Sequence, residues 1–248
     1  RRVLGTGGAM NTLAFSLAFA ALALAAGLLA KPFDRRIALS GVVLFAAYLA
    51  LDDFVTGLPH LVPALDFLPG EWNWSGKLLS LGFAALVIAA LRLSPDAVGL
   101  RWRQEHARTG AIAVALFIVW GACLGLAFKP GAPDAETLAF QATMPGIAEE
   151  LAYRGIAPAL LLSLWPRKPG VEGIPWAVIV ATSVMFGLWH ALSYTDGKFG
   201  FDLMSGLFPF LGSLPGGWLR FRTKSLVVPV AGHGLANVAF HVAGGLAS

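Results

Sequence analysis

The sequence predicts an all-α membrane protein, a polytopic bundle of about eight transmembrane helices, and three observations carry that prediction. Of its 248 residues, 57% are hydrophobic and only 13% charged, about half the roughly 25% charge of a soluble domain. Apolar runs of about 20 residues, the length needed to cross a bilayer, recur along the whole chain. No period-2 alternation of the barrel kind appears, so helices must satisfy the backbone groups in lipid.

The expected spans are 9–30, 37–56, 74–91, 109–128, 137–163, 174–194, 203–219 and 225–247. The first follows Arg1 and Arg2 and runs uncharged to Ala30, longer than the roughly 7–15 residues of a signal-peptide core, so a retained span is expected. The second meets Asp52 and Asp53, read as its watery end because Gly57, Pro59 and Pro63 follow. The third starts close to Lys77, and segment 96–108, with Trp102, reads as a short interfacial amphipathic helix. Cys123, alone in the fourth span, excludes an internal disulfide and reads as a small buried hydrophobe. Phe210, Gly212, Gly216 and Gly217 in the seventh span suggest close helix approach or a broken helix. Trp72, Trp74, Trp102, Trp165 and Trp176 sit near helix ends as interfacial anchors. Residues 1–248 thus form one integral-membrane domain: 1–108 hold spans without motifs, and 109–248 hold the motif-bearing core.

Loop charges sort into two sets. Lys31, Arg35 and Arg36, then Arg92, Arg101, Arg103 and Arg108, then Arg167 and Lys168, then Arg220, Arg222 and Lys224 occupy alternate connections. By the positive-inside rule those connections are cytoplasmic and both termini lie outside, although Arg1 and Arg2 oppose this. The net charge of +4 forms no basic stripe, which gives no case for nucleic acid. The lipid bilayer is the expected partner.

The fifth span carries Glu149, Glu150 and Arg154 inside an apolar helix. Each costs roughly 2.5–3.5 kcal/mol at mid-membrane, so such residues are usually paired, inward-facing and functional. Glu150 and Arg154 stand four apart and can pair along the helix. Adjacent residues point about 100° apart, so Glu149 and Glu150 cannot share one partner on the same face, and Glu149 is aimed elsewhere. His190 ends a Phe-Gly-Leu-Trp-His run in the sixth span. His233, Asn237 and His241 line one face of the eighth. Glutamate and imidazole can together hold a water and take its proton, and a second imidazole with an amide can donate to an oxyanion.

Glu-Glu-x-x-x-Arg, Phe-x-x-x-His and His-x-x-x-Asn, in this order on late membrane helices, resemble the CPBP family. This is the CAAX-protease and bacteriocin-processing (ABI) family of intramembrane proteases, and the resemblance covers roughly residues 109–240. It implies hydrolysis of a peptide bond in a membrane-anchored or lipidated protein or peptide, in a prokaryotic cell membrane. Carried over by motif position, Glu149 and His190 activate water, His233 and Asn237 stabilise the oxyanion, and Glu150 and Arg154 brace the site or contact substrate. The family is described as glutamate proteases, so no cofactor is expected. Zinc on Glu149, His190 and His233 is the alternative, without a His-Glu-x-x-His spacing to favour it.

Other readings stand beside this one. The charges in the fifth span can form a purely structural ion-pair network, and His190 and His233 can be hydrogen-bonded helix contacts. A proton-coupled carrier can use the same residues as a relay, although no internal repeat supports one. A non-catalytic immunity or binding protein on the same fold is the last. His241 lies outside the motifs, and His60 and His106 receive no role.

Overall fold

The structure is a computed structural model that describes residues 7–68, 70–163 and 173–247. Its helices are α1 (Gly7–Ala30), α2 (Leu39–Leu61), α3 (Trp74–Ala90), the single turn α4 (Pro95–Val98) and α5 (Ala107–Phe128). The sixth helix begins as α6 (Ala135–Met144), winds as π-helix over Pro145–Glu149 and Leu151–Ile156, and ends as α7 (Ala157–Ser163). Then come α8 (Trp176–Ala191), strands β1 (Leu192–Thr195) and β2 (Lys198–Phe201), α9 (Leu203–Thr223) and α10 (Val227–Ala247). Every expected span falls on a helix, and the chain is an integral-membrane helix bundle. Asn11–Phe33, Leu39–Leu61, Ala107–Phe128 and Val227–Ala247 are long and apolar enough to cross a membrane, while Trp74–Ala90 and Trp176–Ala191 are shorter apolar helices. The count of eight crossings therefore holds for four by length and composition among the described residues.

The apolar core joins α1 and α2 to α7 and α8 through Phe19, Phe45, Leu49, Leu160 and Met185, all fully buried. On the other side α10 lies along α5 and α6. A Cβ on Gly234 would stand 2.5 Å from the carbonyl oxygen of Ala142, and one on Gly146 would stand 2.8 Å from that of Val230. Glycine at both positions lets the backbones of α10 and the sixth helix touch, which sets His233 beside the paired glutamates.

Several local expectations are corrected. Of the segment 96–108, only the end of the turn Pro95–Val98 and the first two residues of α5, Ala107 and Arg108, are helical. Gly99 stops the turn at a φ of 78°, and the chain beyond is held to the α9–α10 connection by Leu226 N–H to Gly99 O, Ser225 Oγ to Arg101 O and Glu105 N–H to Thr223 O. Residues 192–201, expected to end one helix and lead to the next, form a β-hairpin. Its two-residue turn, Asp196-Gly197, has φ of 53° and 76°, the left-handed pair that a tight hairpin needs. Helix α9 is continuous through Pro209 and Pro215 rather than broken. Cys123 is exposed on α5 rather than buried; on an apolar crossing helix an outward face meets lipid. Trp72 and Trp74 turn inward, donating from Nε1 to Thr137 Oγ1 (3.0 Å) and Glu136 Oε1 (3.1 Å), whereas Trp102 is fully outward. Arg1, Arg2, Trp165, Arg167 and Lys168 lie outside the described residues.

Candidate active site

Pro145 cannot donate a backbone N–H to the preceding turn, and there the sixth helix leaves the α-form for π winding. Such winding is rare and occurs often at functional sites. Glu149 closes the first π stretch and Glu150 separates it from the second, which contains Arg154. Glu150 Oε1 and Arg154 Nη1 lie 3.0 Å apart, the pair expected from the i, i+4 spacing, and both residues are only 3% exposed. The contact is an ion pair rather than an aligned hydrogen bond, and Glu150 Oε2 and Arg154 Nε also lack hydrogen-bond partners among the described residues. The guanidinium is also stacked 4.3 Å over the Phe186 ring.

Two partners of the glutamates were not expected. His233 lies 2.8 Å from Glu150 Oε1 through Nδ1, and its Nε2 lies 3.9 Å from Glu149 Oε2. The two glutamates do share a partner, because an imidazole has two nitrogens on opposite edges and reaches both faces. Glu149 Oε1 accepts from Lys77 Nζ at 2.7 Å, with both side chains about nine-tenths buried. Lys77 comes from α3, and was read only as the start of a span.

His190 stands at the C-terminal end of α8, where its Nδ1 is 2.9 Å from the Phe186 carbonyl oxygen. A carbonyl only accepts, so Nδ1 carries the proton and the neutral ring keeps its lone pair on Nε2. Phe186 packs against both imidazoles, 4.6 Å from the His190 ring and 6.1 Å from the His233 ring. Asn237 donates from Nδ2 to Gln141 Oε1 at 2.9 Å, which leaves its second amide proton for another acceptor. In sequence His190 lies late in its span and His233 early in its own. The two still meet because α8 has only 16 residues and rises about 24 Å, short of a roughly 30 Å hydrocarbon core.

Glu149, Glu150, Arg154, His190, His233 and Asn237 all line one cavity of about 880 Å³. Its wider walls are apolar and aromatic, including Phe117, Trp120, Phe128, Phe208 and Phe240, with Gly212 and Gly216 on α9. Among the described residues nothing stands within 4 Å of a Cβ placed on Gly212, whereas Gly217 packs on Ile179. The glycines of α9 thus divide between an open wall and a helix contact. His241 joins the lining, edge-on to Trp72. Among the described residues no three His, Cys, Asp or Glu donors converge as a metal site, and the Lys77 ammonium takes one of the Glu149 oxygens.

Asp52 and Asp53 are inside the protein rather than at a watery helix end. The cause is that α2 continues to Leu61, more than two turns past them. Ser80 Oγ donates to Asp52 Oδ1 at 2.7 Å, while Ser16 Oγ and Trp189 Nε1 donate to Asp53 at 2.9 Å. The signal that could have found them is their charge within an apolar run, the same signal that singled out the fifth span.

Residues 133–239 match the family model described as type II CAAX prenyl endopeptidase Rce1-like. The match bears out the CAAX-protease resemblance of the three motifs over the part of the chain that carries them. Two curated relatives, both named cytochrome c biogenesis protein CcsA, come from Synechococcus sp. (strain JA-2-3B'a(2-13)) and Synechococcus sp. (strain JA-3-3Ab). Each is 32% identical, over 143 and 139 residues and 55% of this chain. The chain spans about a third of the length of these relatives, 36% and 35%. No solved structure matches.

Proposed function

We propose that this chain is a metal-independent intramembrane endopeptidase that hydrolyses a peptide bond of a lipidated or membrane-anchored substrate. The observation that carries it is the convergence of Glu149, His190, His233 and Asn237, from three helices, on one cavity. Glu149 Oε2, the oxygen not taken by Lys77, and His190 Nε2 are the acceptors for the hydrolytic water. One O–H bond of that water breaks, its proton passes to Glu149 Oε2, and the oxygen bonds to the carbonyl carbon. The carbonyl oxygen, now an oxyanion, is held by Asn237 Nδ2–H and by His233 when Nε2 is protonated. Collapse breaks the C–N bond, and the stored proton goes to the leaving nitrogen. Glu150 and Arg154 hold His233 in place. The apolar walls suit a lipid chain or a hydrophobic tail.

The test is cleavage of a farnesylated CAAX-type peptide by purified protein in nanodiscs. Glu149→Gln and His190→Ala are expected to lose about 10³-fold or more in kcat/KM, and Asn237→Ala about 10²-fold. Undiminished cleavage by either of the first two ends the assignment. Activity lost to a chelator and restored by zinc replaces it with the metalloprotease version. The name of the two relatives supports a second reading, a role in cytochrome c biogenesis. Deletion of the gene in its source organism with c-type cytochromes unchanged excludes it.

A further inference from the structure

Lys77 and the Asp52–Asp53 pair lie on α2 and α3, outside the residues matched by the family model. Three observations tie them to the cavity. Lys77 Nζ holds Glu149 Oε1 at 2.7 Å. Its ammonium also lies 5.0 Å from the centre of the Trp189 ring, and the indole of Trp189 donates to Asp53. Thr56, Lys77, Glu149 and Trp189 border both the large cavity and a second, much smaller void of about 10 Å³, whose other walls include Asp52, Asp53, Ser80 and Tyr153. These four residues are therefore the partition between the two spaces.

A carboxylate has two equivalent oxygens and rotates freely about its last bond unless something distinguishes them. With Oε1 fixed by a buried ammonium, Oε2 is left to face His233 Nε2, 3.9 Å away, and the cavity. An ammonium on a four-carbon stem would not hold one position by itself. Here Trp189 lies beside it, and Asp52 and Asp53, each fixed by hydroxyl or indole donors, stand around the same void.

We propose that Lys77 is a positioning residue of the hydrolytic site, selecting Glu149 Oε2 as the oxygen that meets water, and that Asp52 and Asp53 hold Lys77 in that place. This rests on the endopeptidase reading for its consequence and on geometry alone for its pairing, so two measurements separate the two. With the farnesylated peptide as probe, Lys77→Met lowers kcat about 10²-fold or more and leaves KM within about threefold, because the contact is to the base and not to substrate. Lys77→Arg retains kcat within about tenfold of wild type. Ethylamine added to Lys77→Ala restores activity saturably, which a merely structural role would not give. A Lys77→Met kcat within threefold of wild type, or Lys77→Ala that ethylamine leaves unchanged, overturns the proposal. Independently of any cleavage, the melting temperatures of Lys77→Met, Glu149→Gln and the double variant are compared in nanodiscs. Strong non-additivity is expected, and additive shifts overturn the pairing. Full activity of Glu149→Gln would defeat the endopeptidase reading instead, and the melting comparison would still decide whether Lys77 and Glu149 are paired.

Discussion

The two halves of the bundle each bury a charged cluster, and they build it differently. In the sixth helix Glu150 and Arg154 are four residues apart on one backbone, and His233 is brought to them by close backbone approach. In the first three helices Asp52, Asp53 and Lys77 share no local spacing. Ser16, Ser80 and Trp189 from three different helices complete their hydrogen bonds. The clusters join at one contact, Lys77 to Glu149. A cluster written along one helix leaves a motif, and a cluster assembled between helices leaves only isolated charges.

That contrast can be tested by removing one group from each construction and following unfolding by SDS titration in mixed micelles. The largest effect is expected for Arg154→Met, which strands Glu150 beside His233 in a site only 3% exposed. Loss of one partner of a buried pair costs about 3–5 kcal/mol. A loss under about 1 kcal/mol would mean the pair is not the centre of its half. Next is Gly121→Val on α5, where even a Cβ meets the carbonyl of Ala236 on α10. Overpacking there is expected to cost about 1–3 kcal/mol, whereas Gly82→Val, with nothing among the described residues within 4 Å of its Cβ, should shift stability by less than about 0.5 kcal/mol.

Asp53→Ala removes the acceptor for both Ser16 and Trp189. Hydrogen bonds between membrane helices contribute about 0.6 kcal/mol each on average, so about 1–2 kcal/mol is expected. No loss would reduce the N-terminal cluster to bystanders. A smaller loss, about 1 kcal/mol, is expected for Asn73→Ala. Its side chain caps α3 by accepting from Gly76 N–H at 2.9 Å and donates to Thr56 O at 2.9 Å, which ties α3 to α2 and so holds Lys77 at its depth. A fall in peptide cleavage larger than the fall in stability would sharpen the link between these helices and the site.

Apolar composition and run length determined by themselves that the chain is a helical membrane protein, because lipid allows helices little alternative. Spacing paired Glu150 with Arg154 and set His233 and Asn237 on one face of their helix, since i, i+4 neighbours are fixed by helix geometry, while only the resemblance of the three motifs joined Glu149 and His190 to them. The hairpin turn at Asp196-Gly197 was also written locally, and it went unread beneath the apolar run around it. Tertiary structure alone decided that His233 touches both glutamates, that Asn237 meets Gln141, and that Lys77 with Asp52 and Asp53 stands behind Glu149. Those contacts join helices up to 96 residues apart, and which faces of two helices meet is set by packing, not by the spacing of residues along either one.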